Sequence, residues 1–225
     1  MHHLQTKILY NLALHDELRF SELKPRDMES NQFMYHLKTV MAQGYVAKTD
    51  GHYCLTPKGL RYVNAMSFEL LTTRLQPVSR TTVYAEHPDR PGELLLYRFN
   101  RQPIRGRVGL LNGKIHFGET LEVAATRELA EKSGLQAELE FIGQINSRNY
   151  SAEDATELIN HTFYFVFRAH DVSGQIKDTG DLHGQSFWGK LEDCDPSQFT
   201  PGLSVMLEQI QSGRTGFFAD ITTRL

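Results

Sequence analysis

The segment from Gly113 to Leu135 constrains this chain more than any other. It reads Gly113, five residues, Glu119, seven residues, then Arg127-Glu128-Leu129-Ala130-Glu131-Lys132-Ser133-Gly134-Leu135. Gly118-Glu119-Thr120 leads into an amphipathic helix whose buried side takes Leu121, Ala124, Ala125 and Leu129. Gly134 ends that helix and lets the chain turn. Glu128, Glu131 and Lys132 stand at i, i+3 and i+4, so they share one helix face.

The segments around it alternate between strand and turn. Thr81–Ala85 and Glu93–Phe99 read as strands around the turn His87-Pro88-Asp89-Arg90-Pro91-Gly92. His161–Phe167 is an apolar, aromatic strand and Pro201–Gln211 a closing helix. The tail Gly216–Ile221 is apolar enough to dock on a surface or a second subunit. The first third of the chain has a different order. Helical spacing covers Leu4–Leu14, and a short helical piece starts at Phe20 with Ser21 as its cap. Ser30 caps a helix that runs to about Gln43 and ends at Gly44. Strands Tyr45–Lys48 and Tyr53–Leu55 flank an Asp-Gly turn. Thr56-Pro57 then opens a helix to about Leu71.

The Gly113–Leu135 spacing resembles the Nudix box, with eight of nine fixed positions in agreement, and the resemblance extends across about residues 80–212. It implies that Glu128 and Glu131 are catalytic and metal-holding acids for Mg2+ or Mn2+, a hard ion that bridges a diphosphate and activates water. It implies structural roles for Gly113, Glu119, Arg127 and Gly134, with Glu119 and Arg127 as an internal salt link. Lys132 departs from the pattern, because the family has a glutamate there. An ammonium has no lone pair to donate and repels a divalent ion. Two readings follow: Lys132 pairs with Glu128 as a tethered cation in the metal's place, with no cofactor needed, or it points to solvent and a neighbouring acid completes the site. Two other departures are Leu111-Asn112 before the box, and Asp181 or His183 where many members carry a glutamate before Trp188. Arg98, Arg101, Arg105 and Arg107 precede the box; they are candidate phosphate contacts or, equally, a cover for the sheet surface or a face toward the first third of the chain. Glu153, Asp154 and Glu157 read as a solvated acidic cluster.

Residues 30–62, through His36-Leu37-Lys38, Gly44-Tyr45-Val46 and Leu55-Thr56-Pro57-Lys58-Gly59, resemble the winged helix-turn-helix domains of bacterial regulators. That resemblance implies double-stranded DNA as a partner. Its third helix would enter the major groove with Asn31, Gln32, Tyr35, His36, Lys38 and Thr39 outward, and Lys48 and His52 would meet the backbone from the wing. The expected architecture is therefore α+β in two domains: a winged helix over 1–74, a linker over 75–79 and a Nudix α/β/α sandwich over 80–225.

Composition adds boundaries. Residues 1–75 hold nine Lys/Arg against seven Asp/Glu and the remainder fifteen against twenty, so the first part is only mildly basic. No apolar run approaches the roughly 20 residues of a membrane helix. Met1–Lys7 carry no signal-peptide core, and Cys54 and Cys194 form no metal or redox motif, so a reduced cytoplasmic protein with no membrane partner is expected. Three functions fit these residues. One is a transcriptional regulator, a homodimer if its DNA site is palindromic, that senses a nucleoside-diphosphate-type metabolite with weak or no hydrolysis. It would resemble the repressors of NAD metabolism that pair the same two modules, there with the Nudix domain first. The second is an active Mg-dependent hydrolase of nucleoside diphosphates linked to another moiety. The third is a non-catalytic protein-interaction module.

Overall fold

The structure, a computed structural model, describes residues 1–67, 72–177, 180 and 182–225. The chain divides into two compact units, Met1–Leu75 and Gln76–Leu225.

In the first unit, α1 (His3–Ala13) opens under a capping box. The His2 ring accepts from Leu4 N, and the Gln5 side chain accepts from His2 N. β1 (Leu18–Arg19) leads into α2 (Phe20–Leu23), where the expected cap is displaced by one mechanism for another: Glu22, not Ser21, closes the turn by accepting from Arg19 N at 2.6 Å. α3 (Ser30–Ala42) likewise takes Glu29, not Ser30, at its N-cap, with no side-chain cap bond, and ends before Gly44 at φ +77°. β2 (Val46–Thr49) and β3 (His52–Leu55) form a hairpin whose two turn residues, Asp50 and Gly51, both have positive φ. That backbone matches the twist of the strands it joins. The small sheet runs β1-β3-β2.

α4 (Pro57–Asn64) starts where Pro57 needs no N–H partner and Thr56 Oγ1 accepts from Gly59 N at 3.1 Å. It stops at Asn64, short of Leu71. Met66 is drawn into the core instead, and β4 (Met66–Ser67) pairs antiparallel with β5 (Thr72–Thr73). Ile8, Leu9, Leu12, Leu23, Phe33, Leu37 and Val40 make most of one core, each worth about 1.5–3 kcal/mol when fully buried.

The second unit is built on one mixed sheet. Its elements are β6 (Val78–Tyr84), β7 (Leu94–Phe99), β8 (Val108–Lys114), α5 (Leu121–Ser133), β9 (Gln136–Tyr150), β10 (Leu158–Ser173), β11 (Gly184–Gly189), α6 (Leu203–Gln211) and β12 (Phe217–Arg224). The order across the sheet is β11-β7-β8-β6-β10-β9-β12. β6 begins inside the stretch expected as linker, because Val78 and Ser79 pair in parallel with Thr162 and Phe163 of β10. The apolar tail finds its partner within the chain: β12 pairs in parallel with β9, and the Phe217 ring lies against Gly143, where a Cβ would sit 2.6 Å from it.

Alternation along β7 separates two cores. Leu94 and Leu96 face a layer with Leu203, Leu207 and Ile210 of α6; Leu95 and Tyr97 face a layer with Ala125 and Leu129 of α5. The helices thus cover opposite faces of the sheet, which is an α/β/α sandwich. Among the described residues no helix is long and apolar enough to cross a membrane.

Gly59 offers a sharp test of packing in the first unit. Alanine would raise helix propensity by about 1 kcal/mol. Its Cβ, however, would lie 2.1 Å from the Tyr45 carbonyl oxygen. Gly59→Ala is therefore expected to lower stability by about 1–3 kcal/mol, the range of overpacking, read as a lower denaturation midpoint of the full chain. A rise in that midpoint would show that the close approach is not limiting.

Candidate functional site

The site starts from the loop that feeds α5. Thr120 Oγ1 accepts from Val123 N and sets the first turn. His116 N donates to Glu119 Oε2 at 2.8 Å, which folds the loop back on itself. Arg127, two turns into α5, grips Glu119 with both arms of its guanidinium: Nε to Oε1 at 2.7 Å and Nη2 to Oε2 at 2.9 Å. Nη2 also donates to the Lys114 carbonyl at 3.0 Å, tying the helix to the end of β8. This bidentate pair is a strong, geometry-specific link. Arg127, with the His116 backbone N–H, holds the Glu119 carboxyl down to about 2, and the same pairing pushes the Arg127 guanidinium up.

Glu128 lies deeper, 6% exposed. It lies against Gly113, where a Cβ would fall 1.6 Å from the Glu128 carboxyl carbon. No residue but glycine leaves room there. Both carboxylate oxygens are engaged by cations: Arg127 Nη1 meets Oε1 at 2.9 Å, and Lys132 Nζ meets Oε2 at 3.0 Å. Lys132 Nζ also donates to the Asn112 carbonyl and lies 5.2 Å from the centre of the Tyr97 ring. Its side chain is 15% exposed, so it turns inward rather than to solvent. Glu131 is the outlying acid, exposed, with Oε2 3.3 Å from Arg127 Nη1.

A divalent cation needs several oxygen donors around one point. The residues of this face do not fit one. Both Glu128 oxygens already have a cation against them, and Glu131 is paired with Arg127. Among the described residues no group of three His, Cys, Asp or Glu side chains could hold a metal ion. Asp181 lies outside the described residues. Glu153, Asp154 and Glu157 are exposed in the loop between β9 and β10, where Asp154 accepts from Thr156.

The arginines divide differently from their order in the sequence. Arg98 bonds the Gly106 carbonyl and Gln198 and lies 5.7 Å from the Phe187 ring; Arg107 bonds the Phe199 carbonyl. Arg105 is exposed and lines neither cavity beside the site. Arg101 lines both cavities, as does Arg80 of β6, a residue not singled out from the sequence. Its place comes from strand register, since it pairs across from Lys114 at the head of the box. His183 lines the smaller cavity, beside Glu131 and Lys132.

In the first unit Asn31, Gln32, Tyr35 and Lys38 are exposed on α3, and Lys48 is exposed on β2 with its ammonium 5.3 Å from the Tyr53 ring. His36 is turned inward and stacks on His2 at 4.4 Å, so it is not an outward residue. Thr39 Oγ1 donates back to the Tyr35 carbonyl, and His52 accepts from Arg19 Nε.

The lowered Glu119 pKa has a consequence for acid stability. A depressed carboxyl contributes stability that is present above its unfolded value, near 4.5, and is lost as pH falls through about 2. The melting temperature of the native chain should therefore fall between about pH 4.5 and 2 more steeply than that of Glu119→Gln. Parallel curves for the two proteins would show that the Arg127 link is not formed in solution.

The NUDIX domain family model matches residues 78–210, and a domain of unknown function (DUF7347) matches residues 2–66. The oxidized purine nucleoside triphosphate hydrolase of Danio rerio is 34% identical over 98 residues, covering 44% of this chain; the chain spans 60% of that relative's length. The mutator MutT protein of Bacillus halodurans superposes with a TM-score of 0.52 at 17% identity, over 64% of this chain and 89% of that one. A NUDIX hydrolase from Nitrosomonas europaea gives 0.51 at 17% identity, over 63% and 93%. At such identities the superpositions speak for the fold alone. Nudix hydrolases generally use divalent metal ions such as Mg2+. The family match spans more than half of the sequence and includes the whole box, and the chain belongs to the Nudix family.

Proposed function

We propose that this Nudix protein is a ligand-sensing transcriptional regulator rather than an efficient hydrolase. The observation that carries the reading is Lys132 Nζ, held between Glu128 Oε2 and the Asn112 carbonyl. The ammonium supplies a positive charge where the family places a metal-binding acid, and it neutralises Glu128 without offering a coordination site for water. The remaining fold keeps what recognition needs, a cationic wall beside a cavity of about 450 Å3. That volume lies in the range of small-molecule sites. The ligand class is a nucleoside diphosphate linked to another group.

The first unit is read as a winged helix-turn-helix. Its element order, its β1-β3-β2 sheet and the exposed Asn31, Gln32, Tyr35 and Lys38 on α3 support this, with Lys48 on the wing. Asn and Gln can pair with adenine edges in a major groove, and Lys38 and Lys48 with guanine or phosphate. DNA binding would weaken with salt, and ligand and DNA would change each other's affinity by one common factor.

A second reading, a metal-dependent hydrolase, is favoured by the 34% identity to the Danio rerio nucleoside triphosphate hydrolase. The charge at position 132 separates the two. In EDTA, Lys132→Glu should be destabilised by about 3 kcal/mol or more, because it strips a buried carboxylate of one partner and adds a like charge. Mg2+ should recover that loss in the variant and leave the native melting temperature unchanged. A panel of nucleotide sugars, dinucleotides and nucleoside triphosphates should give thermal shifts with little phosphate or monophosphate release by the native chain. Ordinary Mg2+-dependent turnover by the native chain, abolished by Glu131→Gln, would overturn the sensing reading.

A further inference from the structure

The two cavities of the second unit meet at one wall. The larger, about 450 Å3, and the smaller, about 260 Å3, share Arg80, Phe99 and Arg101. The smaller is lined by five Arg and Lys side chains against the two carboxylates Glu128 and Glu131. Two of those cations are already paired, Arg127 with Glu119 and Glu128 and Lys132 with Glu128; Lys114 is exposed, and it is its backbone carbonyl that accepts from Arg127. Even with Glu119 counted against Arg127, a surplus of two positive charges remains among the described residues.

Arg80 is where that surplus is most costly. It is half-buried, and its hydrogen bond from Nη1 to the neutral Asn112 amide oxygen, at 3.3 Å, uses one of five donors. Neither Arg80 nor Arg101 has a carboxylate within ion-pair distance among the described residues. Burial holds the Arg80 guanidinium below its ordinary value; Tyr164 and Glu128 oppose this, and Arg101 adds to it as a like charge. A guanidinium withdrawn from water without an anion is unfavourable, and an anion arriving from outside would answer it with charge-assisted bonds.

We infer that Arg80 and Arg101 form a metal-independent clamp for a pyrophosphate group, placed where the two cavities join. This deepens the sensing reading and rests on it: the clamp takes the diphosphate, and the adjoining larger cavity takes the body it is attached to. Two forked guanidiniums can each bind phosphate oxygens in pairs. The surplus of two charges suits a dianionic bridge, and no divalent ion is needed to neutralise it.

The test is calorimetric titration of the full chain with inorganic pyrophosphate in EDTA, repeated with ADP and GDP. Saturable binding is expected without metal and is not tightened by Mg2+. Arg80→Met and Arg101→Gln should each weaken it at least about tenfold, as loss of a charge-assisted contact implies. Arg105→Gln, outside both cavities, should change it less than about twofold. Arg80→Met should also melt no lower than the native chain, because it removes a charge that has no carboxylate partner among the described residues; a purely structural arginine would lower it. Arg101 is exposed, so Arg101→Gln decides the matter if Arg80→Met perturbs folding. Tighter binding of ADP or GDP than of pyrophosphate would assign the group to a nucleotide; equal binding would assign it to the free anion. Binding that appears only with Mg2+, or that survives both arginine substitutions, overturns the clamp even if a metabolite still shifts the melting temperature. Metal-dependent turnover with metal-free arginine binding intact would instead overturn only the sensing reading.

Discussion

The second unit depends on the buried carboxylate of Glu128. A carboxylate this enclosed is tolerated only with its charge answered at close range. Here both oxygens are answered from the same helix, by the residue before it and the residue four after it. Gly113 must lack a side chain for the carboxylate to fit, and the Asn112 carbonyl holds the lysine in line. Strand β8, helix α5 and the loop between them are fixed by that one requirement. Arg127 couples it to Glu119, so the loop conformation, the helix start and the buried pair are one network.

The same network sets the local electrostatics. A metal-binding helix presents negative charge and draws a cation from solution. Here Glu128 and Glu131 are paired with Arg127 and Lys132, and among the described residues neither Arg80 nor Arg101 has a carboxylate within ion-pair distance. The unpaired charge has moved from carboxylates on α5 to guanidiniums on β6 and the segment after β7. Under the proposed clamp such a surface would attract anions directly, less strongly as salt screens it. The chain keeps the family's fold with an ammonium, rather than a carboxylate, beside Glu128.

Much of the local architecture was legible in the sequence because its causes are local. The Asp50-Gly51 turn, the Thr56-Pro57 helix start and Gly134 at the end of α5 are set by backbone preferences of a few residues. The spacing of Glu119, Arg127, Glu128 and Lys132 placed them together for the same reason. What was not legible depends on distant partners. Arg80 looks like any strand arginine until its register opposite Lys114 is known. Arg98 and Arg107 look like phosphate ligands until their carbonyl partners, 8 and 92 residues away, are seen. The helical pattern after Pro57 continues in composition, yet Met66 is captured by the core. The tail's apolar residues read as a docking surface because β9, its partner, is far away in sequence.

Those parallel pairings also bear on the order in which the unit can assemble. Val78 pairs with Thr162, and Phe217 with Gly143, so both pairings close very long loops. Sheets of that kind form slowly, because chain entropy is lost before the contacts return it. During synthesis α5 emerges well before β10 or β12, and it must wait beside an open sheet. The Arg127–Glu119 link spans only eight residues and needs no strand to form. It can shape the loop and the start of the helix early, so that the carboxylate destined for burial meets its cations as the sheet closes over it.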